Sequence, residues 1–259
     1  PEQHRAVFTT EGPVLVLAGA GSGKTRVITY RIAHLIESGV SSSEIVALSF
    51  TNKAANEMRE RVQNLVGDGA RGAVLSTFHA LGLRFLREEH EAAGLRKGFT
   101  ILDEADQVSA VRDIVVALGF DPKQFDPKLV HQRLSDFKSR LKRPDALPGG
   151  FDGLVSQVAP LYGRKLRAMN AVDFDDLISR PVWLLEKDPD LAYRWEGRFR
   201  FMMVDEYQDT NASQLRFLKG LMRRHKNVCA VGDDDQSIYG WRGAEAGNIL
   251  RFDEHFPGA

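Results

Sequence analysis

The chain has 259 residues, and its 35 Lys and Arg balance its 35 Asp and Glu, so the formal net charge at pH 7 is zero. This balance excludes a global positive field, so any binding of a polyanion must use a local track of neutral donors, aromatic rings and a few cations. The length is sufficient for two domains. The single cysteine excludes a disulfide framework and suits a reducing cytoplasm, and no apolar run has membrane length. The polar N-terminus is no signal peptide, and because it lacks an initiator Met we expect a trimmed piece.

A glycine-rich segment near the N-terminus is the clearest motif. It follows the apolar run 14–18, typical of a buried parallel strand, and precedes a stretch with apolar residues at helical spacing. Glycines allow a sharp turn, and the amides of the following helix favour phosphate. We therefore predict a nucleotide-binding loop formed by Ala18, Gly19, Ala20, Gly21, Ser22, Gly23, Lys24 and Thr25. Lys24 would reach the β- and γ-phosphates, and Thr25 would complete a Mg²⁺ shell. Ala18 departs from the usual pattern, which often has glycine there.

Two acidic segments could supply the carboxylate that this loop requires. The first, Asp103–Asp106, is followed by an amphipathic pattern, so Asp103 is interpreted as the N-cap of a helix. The second, Asp205-Glu206, follows the apolar run 199–204, which is a credible core strand. We therefore predict that Asp205 holds Mg²⁺ and that Glu206 orients and deprotonates the attacking water.

A third apolar run, 228–231, ends in a polar segment that contains two large aromatic residues. A neutral amide at a strand end can contact a γ-phosphate or the attacking water, so Gln236 is predicted to sense the state of the nucleotide. Tyr239 and Trp241 follow on a loop flanked by glycine. They are predicted to stack on nucleic-acid bases without sequence preference, while the alternative for Trp241 is packing into the core.

These segments together resemble the N-terminal part of the superfamily 1 DNA helicases of the Rep/UvrD/PcrA group, with the Rep branch as the nearest. The resemblance rests on segments 18–25, 49–58, 76–79, 205–211 and 232–244, which occur in the order of the family. It implies an ATP- and Mg²⁺-dependent 3′–5′ translocase that binds single-stranded DNA and the junction with duplex DNA. The same resemblance assigns adenine recognition to Gln3 and DNA contacts to Phe50, Thr51, Asn52, Thr77, His79 and Arg242.

Read without the resemblance, several of these residues have ordinary roles. Phe50 would be a core residue, His79 a locally bonded histidine, Gln3 a surface amide and Arg242 a member of a surface ion pair. The family closes its ATP site with arginines from a second RecA-like domain, which is not found in these 259 residues. We therefore expect weak nucleotide binding and slow hydrolysis from this piece alone.

The predicted organisation is an α/β fold, with a RecA-like P-loop parallel sheet flanked by helices and an inserted all-helical subdomain. The core would comprise residues 1–85 and 187–259, and the insertion residues 86–186. Helices are predicted near 81–90, 104–118, 127–141, 153–169 and 174–185. Two functions other than a helicase motor remain open: the helicase module of a recombination helicase–nuclease, and an ATP-switched DNA clamp.

The insertion contains a basic stretch whose role has two interpretations. Its members are Lys128, His131, Arg133, Lys138, Arg140, Lys142 and Arg143. Most such stretches are solvated helix faces, and the alternative is contact with the DNA backbone near the duplex junction.

Overall fold

The computed structural model of the chain describes residues 2–19, 21–142, 149–233 and 247–259. It divides into two compact units: residues 1–81 with 185–259, and residues 82–184. The strands are β1 (Val14–Leu17), β2 (Ile45–Ser49), β3 (Val74–Thr77), β4 (Thr100–Ile101), β5 (Ala171–Val172), β6 (Phe201–Val204) and β7 (Asn227–Gly232). The helices are α1 (Glu2–Phe8), α2 (Lys24–Glu37), α3 (Asn52–Val66), α4 (Phe78–Glu88), α5 (Glu104–Ala117), α6 (Pro127–Ser139), α7 (Gly150–Ala168), α8 (Asp176–Lys187), α9 (Pro189–Glu196), α10 (Ala212–Leu221), α11 (Gly247–Leu250) and α12 (Phe252–His255).

The first unit is built on a five-stranded sheet, in which every pair of neighbouring strands is parallel and the order is β1-β7-β6-β2-β3. Every residue of β2, β6 and β7 is buried. Strands covered on both faces read as continuous apolar runs, which explains why the sequence shows no alternation there. The predicted fold class, a parallel sheet flanked by helices, is confirmed.

The parallel arrangement determines where functional side chains gather. The carboxyl ends of all five strands lie at one edge of the sheet, so the segments that start at residues 18, 50, 78, 205 and 233 leave the sheet along that edge. In open parallel sheets this is the edge at which ligands bind.

Helix α2 packs on the sheet through one apolar face. Ile28, Ile32 and Leu35 share a core cluster with Ala47 of β2 and Cys229 of β7. Full burial of each such aliphatic side chain stabilises the fold by about 1.5–3 kcal/mol. The core therefore fixes the start of α2, which carries Lys24, against the carboxyl edge of the sheet.

The second unit is mainly helical, with a core formed by α5, α6 and α7. It also contains one short parallel pair, in which Thr100 is opposite Ala171 and Ile101 is opposite Val172. The predicted all-helical insertion is therefore wrong in this detail. Two-residue strands are too short to produce a periodic pattern, so the sequence carried no signal for them.

The acidic segment at the start of α5 has the structural role that its pattern predicts. The backbone N–H of Asp106 donates to Oδ1 of Asp103 at 2.8 Å, so Asp103 caps the helix. The strand before it, β4, pairs only with β5 in the second unit and not with the central sheet. The prediction that Asp103 is an N-cap is confirmed.

Three members of the basic stretch pair with neighbouring acids, and one other member, Arg143, lies outside the described residues. Arg133 pairs with Asp136 and Asp152, and Arg140 also pairs with Asp136. Lys138 pairs with Asp173 and Asp176, two buried carboxylates of the second unit. Neither interpretation of the stretch therefore fits Lys138, whose ammonium group is used inside the unit.

Within the described parts of the chain, each helix is either too short or too polar to span a lipid bilayer.

Candidate functional site

The glycine-rich loop connects β1 to α2 in a conformation that requires glycine at two positions. Gly21 and Gly23 have φ angles of 72° and 89°, in the left-handed region that other residues rarely adopt. Ser22 closes the loop, because its backbone N–H and its hydroxyl both donate to the carbonyl of Gly19. Gly23 is the N-cap of α2 and supplies no side-chain cap, so the first N–H groups of the helix can bind an anion. Ala20 lies outside the described residues.

Lys24 is buried at the start of α2 and faces carboxylates. Its Nζ lies 3.3 Å from Oε2 of Glu206 and 4.0 Å from Oδ2 of Asp233. Among the described residues this ammonium group nevertheless has no hydrogen-bond partner. A buried ammonium with unused donors costs free energy unless a ligand satisfies it, so the position fits a lysine that binds phosphate.

Asp205 follows β6 directly and meets the helix that starts after the loop. The hydroxyl of Thr25 donates to Oδ2 of Asp205 at 3.2 Å, although 180 residues separate the two in sequence. Burial, and then the charge of Glu206, raise the pKa of Asp205 to about 6. A hydroxyl and a carboxylate at this distance are oxygen ligands of the kind that Mg²⁺ prefers.

The protein alone offers only part of a magnesium shell. No group of three or more His, Cys, Asp or Glu side chains surrounds a common metal position in the described part of the chain. Mg²⁺ keeps several waters and usually takes its other ligands from phosphate oxygens. Thr25 and Asp205 therefore fit a metal that binds together with a nucleotide.

Glu206 has a strained backbone at the tip of β6. Its φ and ψ angles of 50° and 45° place a non-glycine residue in the left-handed region. Such a conformation costs roughly 1–3 kcal/mol and is concentrated at functional sites. The conformation leaves the side chain of Glu206 40% exposed beside the buried Lys24.

Three further residues lie near Lys24 or Glu206, and the sequence motifs do not assign a role to them. Gln208 donates from Nε2 to Oε2 of Glu206 at 2.7 Å, and Asp233 lies near Lys24. Burial, and then the charge of Glu206, raise the pKa of Asp209 to about 6. All three follow the carboxyl ends of core strands, which is the signal that could have identified them.

Gln3 lies against the glycine-rich loop. Its Nε2 donates to the backbone carbonyl of Ser22 at 2.7 Å. The helix that carries it, α1, is held by Arg31 of α2, whose guanidinium donates to the carbonyls of Ala6 and Thr10. No pattern in the sequence singles out Arg31, because its partners are backbone atoms.

The predicted DNA-contact residues of β2, β3 and the helices after them lie along the same carboxyl edge. Thr51 is exposed and caps α3 by accepting from the N–H of Ala54. Asn52 is also exposed, and Phe50 and His79 are half-buried. Thr77 is only 8% exposed and accepts from the N–H of Ala80, so it offers less surface than Thr51. Phe50 also packs against the ring of Phe78, with ring centroids 5.3 Å apart.

Besides Ala20, four predicted site residues lie outside the described residues: Gln236, Tyr239, Trp241 and Arg242. The segment that contains them, residues 234–246, starts after Asp233 and ends before α11.

Comparison with known proteins places this geometry in a family. Residues 1–257 match the family described as the UvrD/REP helicase N-terminal domain. The chain is 47% identical over 263 residues to the ATP-dependent DNA helicase PcrA of Staphylococcus aureus and 46% identical to that of Staphylococcus epidermidis. Each alignment covers 100% of this chain and 36% of the relative. The resemblance to the Rep/UvrD/PcrA group is thereby confirmed at the level of the group, and the chain belongs to the UvrD/REP helicase N-terminal domain family.

Proposed function

We propose that this chain is the N-terminal motor region of an ATP-dependent 3′–5′ DNA helicase, which binds single-stranded DNA and couples ATP hydrolysis to unwinding. In this proposal the first unit is the RecA-like ATP-binding core, and the second unit is a subdomain inserted into it. The proposal extends to the whole protein what the relatives' names state for them.

One observation carries the proposal: the glycine-rich loop and the acidic end of β6 meet. Thr25 lies 3.2 Å from Asp205, and Lys24 lies 3.3 Å from Glu206. A cation for phosphate, two oxygen ligands for Mg²⁺ and a carboxylate for water are the parts that ATP hydrolysis requires. Lys24 would neutralise the β- and γ-phosphates, and Glu206 would accept the proton of the attacking water.

The proposed DNA track lies at the same edge of the sheet. The exposed side chains of Thr51 and Asn52 and the half-buried ring of Phe50 would contact the strand, with the predicted contacts of segment 234–246. The net charge is zero and the proposed contacts are mainly neutral, so we expect sequence-tolerant binding with a shallow dependence on salt. Binding at the single-strand/duplex junction, roles in replication or repair and a cytoplasmic location belong to the same proposal.

The two alternatives have less support. An ATP-switched clamp has no need for a carboxylate that activates water, yet Glu206 is held next to Lys24. A recombination helicase–nuclease would share this motor, but the relatives reported above are named as DNA helicases and not as nucleases.

Strand displacement by the full-length protein tests the proposal. Duplexes with a 3′ tail and with a 5′ tail are compared in the presence of ATP and Mg²⁺. We expect the 3′-tailed duplex to be unwound by the wild type and not by Lys24→Ala, which removes the proposed phosphate contact. Equal unwinding of both substrates would contradict the polarity, and wild-type rates in the Lys24→Ala variant would contradict the ATP site.

A further inference from the structure

The second unit contains a cavity of about 410 Å³ to which the sequence motifs assign no role. Helices α6, α7 and α8 and the chain just after α4 form its walls. Its lining residues all lie between positions 92 and 184, so the cavity belongs to the second unit alone. None of them is a residue of the nucleotide site described above.

Most of the cavity surface is apolar. The rings of Phe137, Tyr162 and Trp183 line it, and the ring of Trp183 remains 36% exposed. Ala159 and Gly163 of α7 also line it, and their small size leaves the space open. Sites for small molecules typically have roughly 300–1,000 Å³, a mainly apolar and aromatic lining and a few polar groups. The size and the lining of this cavity therefore fit a small molecule with an apolar, aromatic body.

The charged groups of the same cavity are mostly positive. Four cations and one carboxylate line it: Lys138, Lys142, Arg167, Arg180 and Asp176. Lys138 and Arg180 are already satisfied, because both pair with Asp176 and Lys138 also pairs with Asp173. The other two cations therefore give the cavity an excess of positive charge.

Lys142 and Arg167 are the two cations in excess. In the part of the chain that the structure describes, neither has an ion pair or a side-chain hydrogen bond, and both are exposed. A Cβ atom at Gly163 would lie 3.6 Å from Nη1 of Arg167, so the guanidinium lies over a residue that lines the cavity. Long cationic side chains commonly pack their stems on apolar surface and keep their charge in water. These two charges are thus available to an anionic group on a molecule whose apolar part fills the cavity.

We propose that this cavity binds a small aromatic carboxylate or sulfonate. The rings of Phe137, Tyr162 and Trp183 contact its apolar body, and Lys142 and Arg167 contact its anionic group. A nucleic-acid backbone would use the two cations but has no need of an apolar cavity, so the lining favours the small molecule. The inference does not depend on the proposed function, because it involves no residue of the nucleotide site.

The test compares two fluorescent probes on the full-length protein, with ADP and Mg²⁺ present to fill the proposed nucleotide site. One probe is 1-anilinonaphthalene-8-sulfonate, and the other is N-phenyl-1-naphthylamine, which has the same rings without the sulfonate. We expect saturable binding of the sulfonate to the wild type. The double variant Lys142→Gln with Arg167→Gln should bind the sulfonate roughly fivefold more weakly, as expected for the loss of two exposed ion pairs. Its affinity for the neutral probe should be unchanged.

A second variant tests the cavity itself. Ala159→Leu should weaken the binding of both probes, because the larger side chain occupies the space that their rings would fill. Thermal melting reports folding, and Ala93→Leu, at another lining position, replaces Ala159→Leu if that variant is unfolded. Unchanged affinities for both probes in the filled variant would overturn the inference, as would the absence of saturable binding to the wild type.

Arg164→Gln is the matched control for charge. Arg164 is also an exposed cation of α7, but it does not line the cavity. We expect this variant to bind both probes as the wild type does. If the sulfonate binds the double variant as tightly as it binds Arg164→Gln, the assignment of Lys142 and Arg167 as the anion contacts is overturned.

Discussion

Each of the two units contains a lysine that faces two carboxylates, but only one of the two lysines donates hydrogen bonds to them. In the first unit, Lys24 lies near Glu206 and Asp233 without a hydrogen bond to either. In the second unit, Lys138 donates to Asp173 and, at 2.9 Å, to Asp176. The ammonium of Lys138 also lies 5.4 Å from the ring centre of Tyr162.

One acid near each lysine shows the same contrast in its pKa. Burial, and then the charge of Glu206, raise the pKa of Asp205 to about 6 at the first site, although the charge of Lys24 opposes this shift. At the second site burial alone would raise the pKa of Asp176, but the charges of Lys138 and Arg180 lower it below the usual value. Charges that satisfy each other hold a fold together, whereas charges left unsatisfied are typical of a site that a ligand completes.

The largest expected effect separates the two acidic segments of the sequence. Asp205→Asn should lower Mg²⁺-dependent ATPase activity of the full-length protein by roughly two to three orders of magnitude, because a charged contact to the metal and phosphates is lost. Asp103→Asn, which changes a carboxylate that caps α5, should leave turnover unchanged. Steady-state kinetics at saturating ATP measures both. Comparable losses of ATPase activity in the two variants would contradict the assignment of Asp205 to the nucleotide site and of Asp103 to a helix cap.

A second comparison measures how much each of the two lysines contributes to the stability of the fold. Lys138→Met should lower the free energy of unfolding of the second unit by about 3 kcal/mol, because Asp173 would remain buried without its cation and Asp176 would keep only Arg180. Lys24→Met should cost less than about 1 kcal/mol, because its ammonium contributes no hydrogen bond to the fold.

Hydrogen exchange of α6 and α2 during urea unfolding measures the two effects separately. Asp173→Asn added to Lys138→Met should recover part of the loss, since the uncompensated charge of Asp173 disappears. Equal losses of stability in the two lysine variants would contradict the contrast between the sites.

Local signals in the sequence predicted much of this arrangement. The apolar run before the glycine-rich loop, the amphipathic start of α2 and the N-cap Asp103 are patterns within a few residues, and the structure has each of them. Helices predicted at 104–118 and 127–141 end one and two residues earlier, where the periodic pattern becomes ambiguous. The meeting of Thr25 with Asp205 was predictable only because phosphate chemistry requires a carboxylate near such a loop.

Contacts without a local or chemical signature could not be predicted. Lys138 is 35 residues from Asp173, and in sequence it reads as one more cation in a basic stretch. Gln208 bonds Glu206 and the backbone of Asp233, and Arg31 bonds two carbonyls. A backbone atom can be a hydrogen-bond partner whatever its residue type, so the sequence carries no signal for such contacts. Only the folded structure identifies these roles.

The smallest expected effect uses the pH dependence of the second unit. Burial, and then the charge of Asp173, raise the pKa of Asp175 from 3.8 to about 7, although Lys138 and a hydrogen bond from Ser135 oppose the shift. Between pH 3.8 and about pH 7, the carboxyl group of Asp175 is deprotonated in the unfolded chain and protonated in the folded chain. The free energy of unfolding therefore falls as the pH rises through this window.

Asp175→Asn should remove this dependence, because an amide does not titrate. Near pH 8 the variant should be more stable than the wild type, and near pH 4 the two should be similar. Urea unfolding of the second unit at several pH values, followed by hydrogen exchange of α8, measures the difference. A wild-type stability that rises from pH 4 to pH 7 while the variant stays constant would show that Asp175 is charged in the fold. Lys138 would then satisfy three carboxylates, and the contrast with Lys24 would be sharper still.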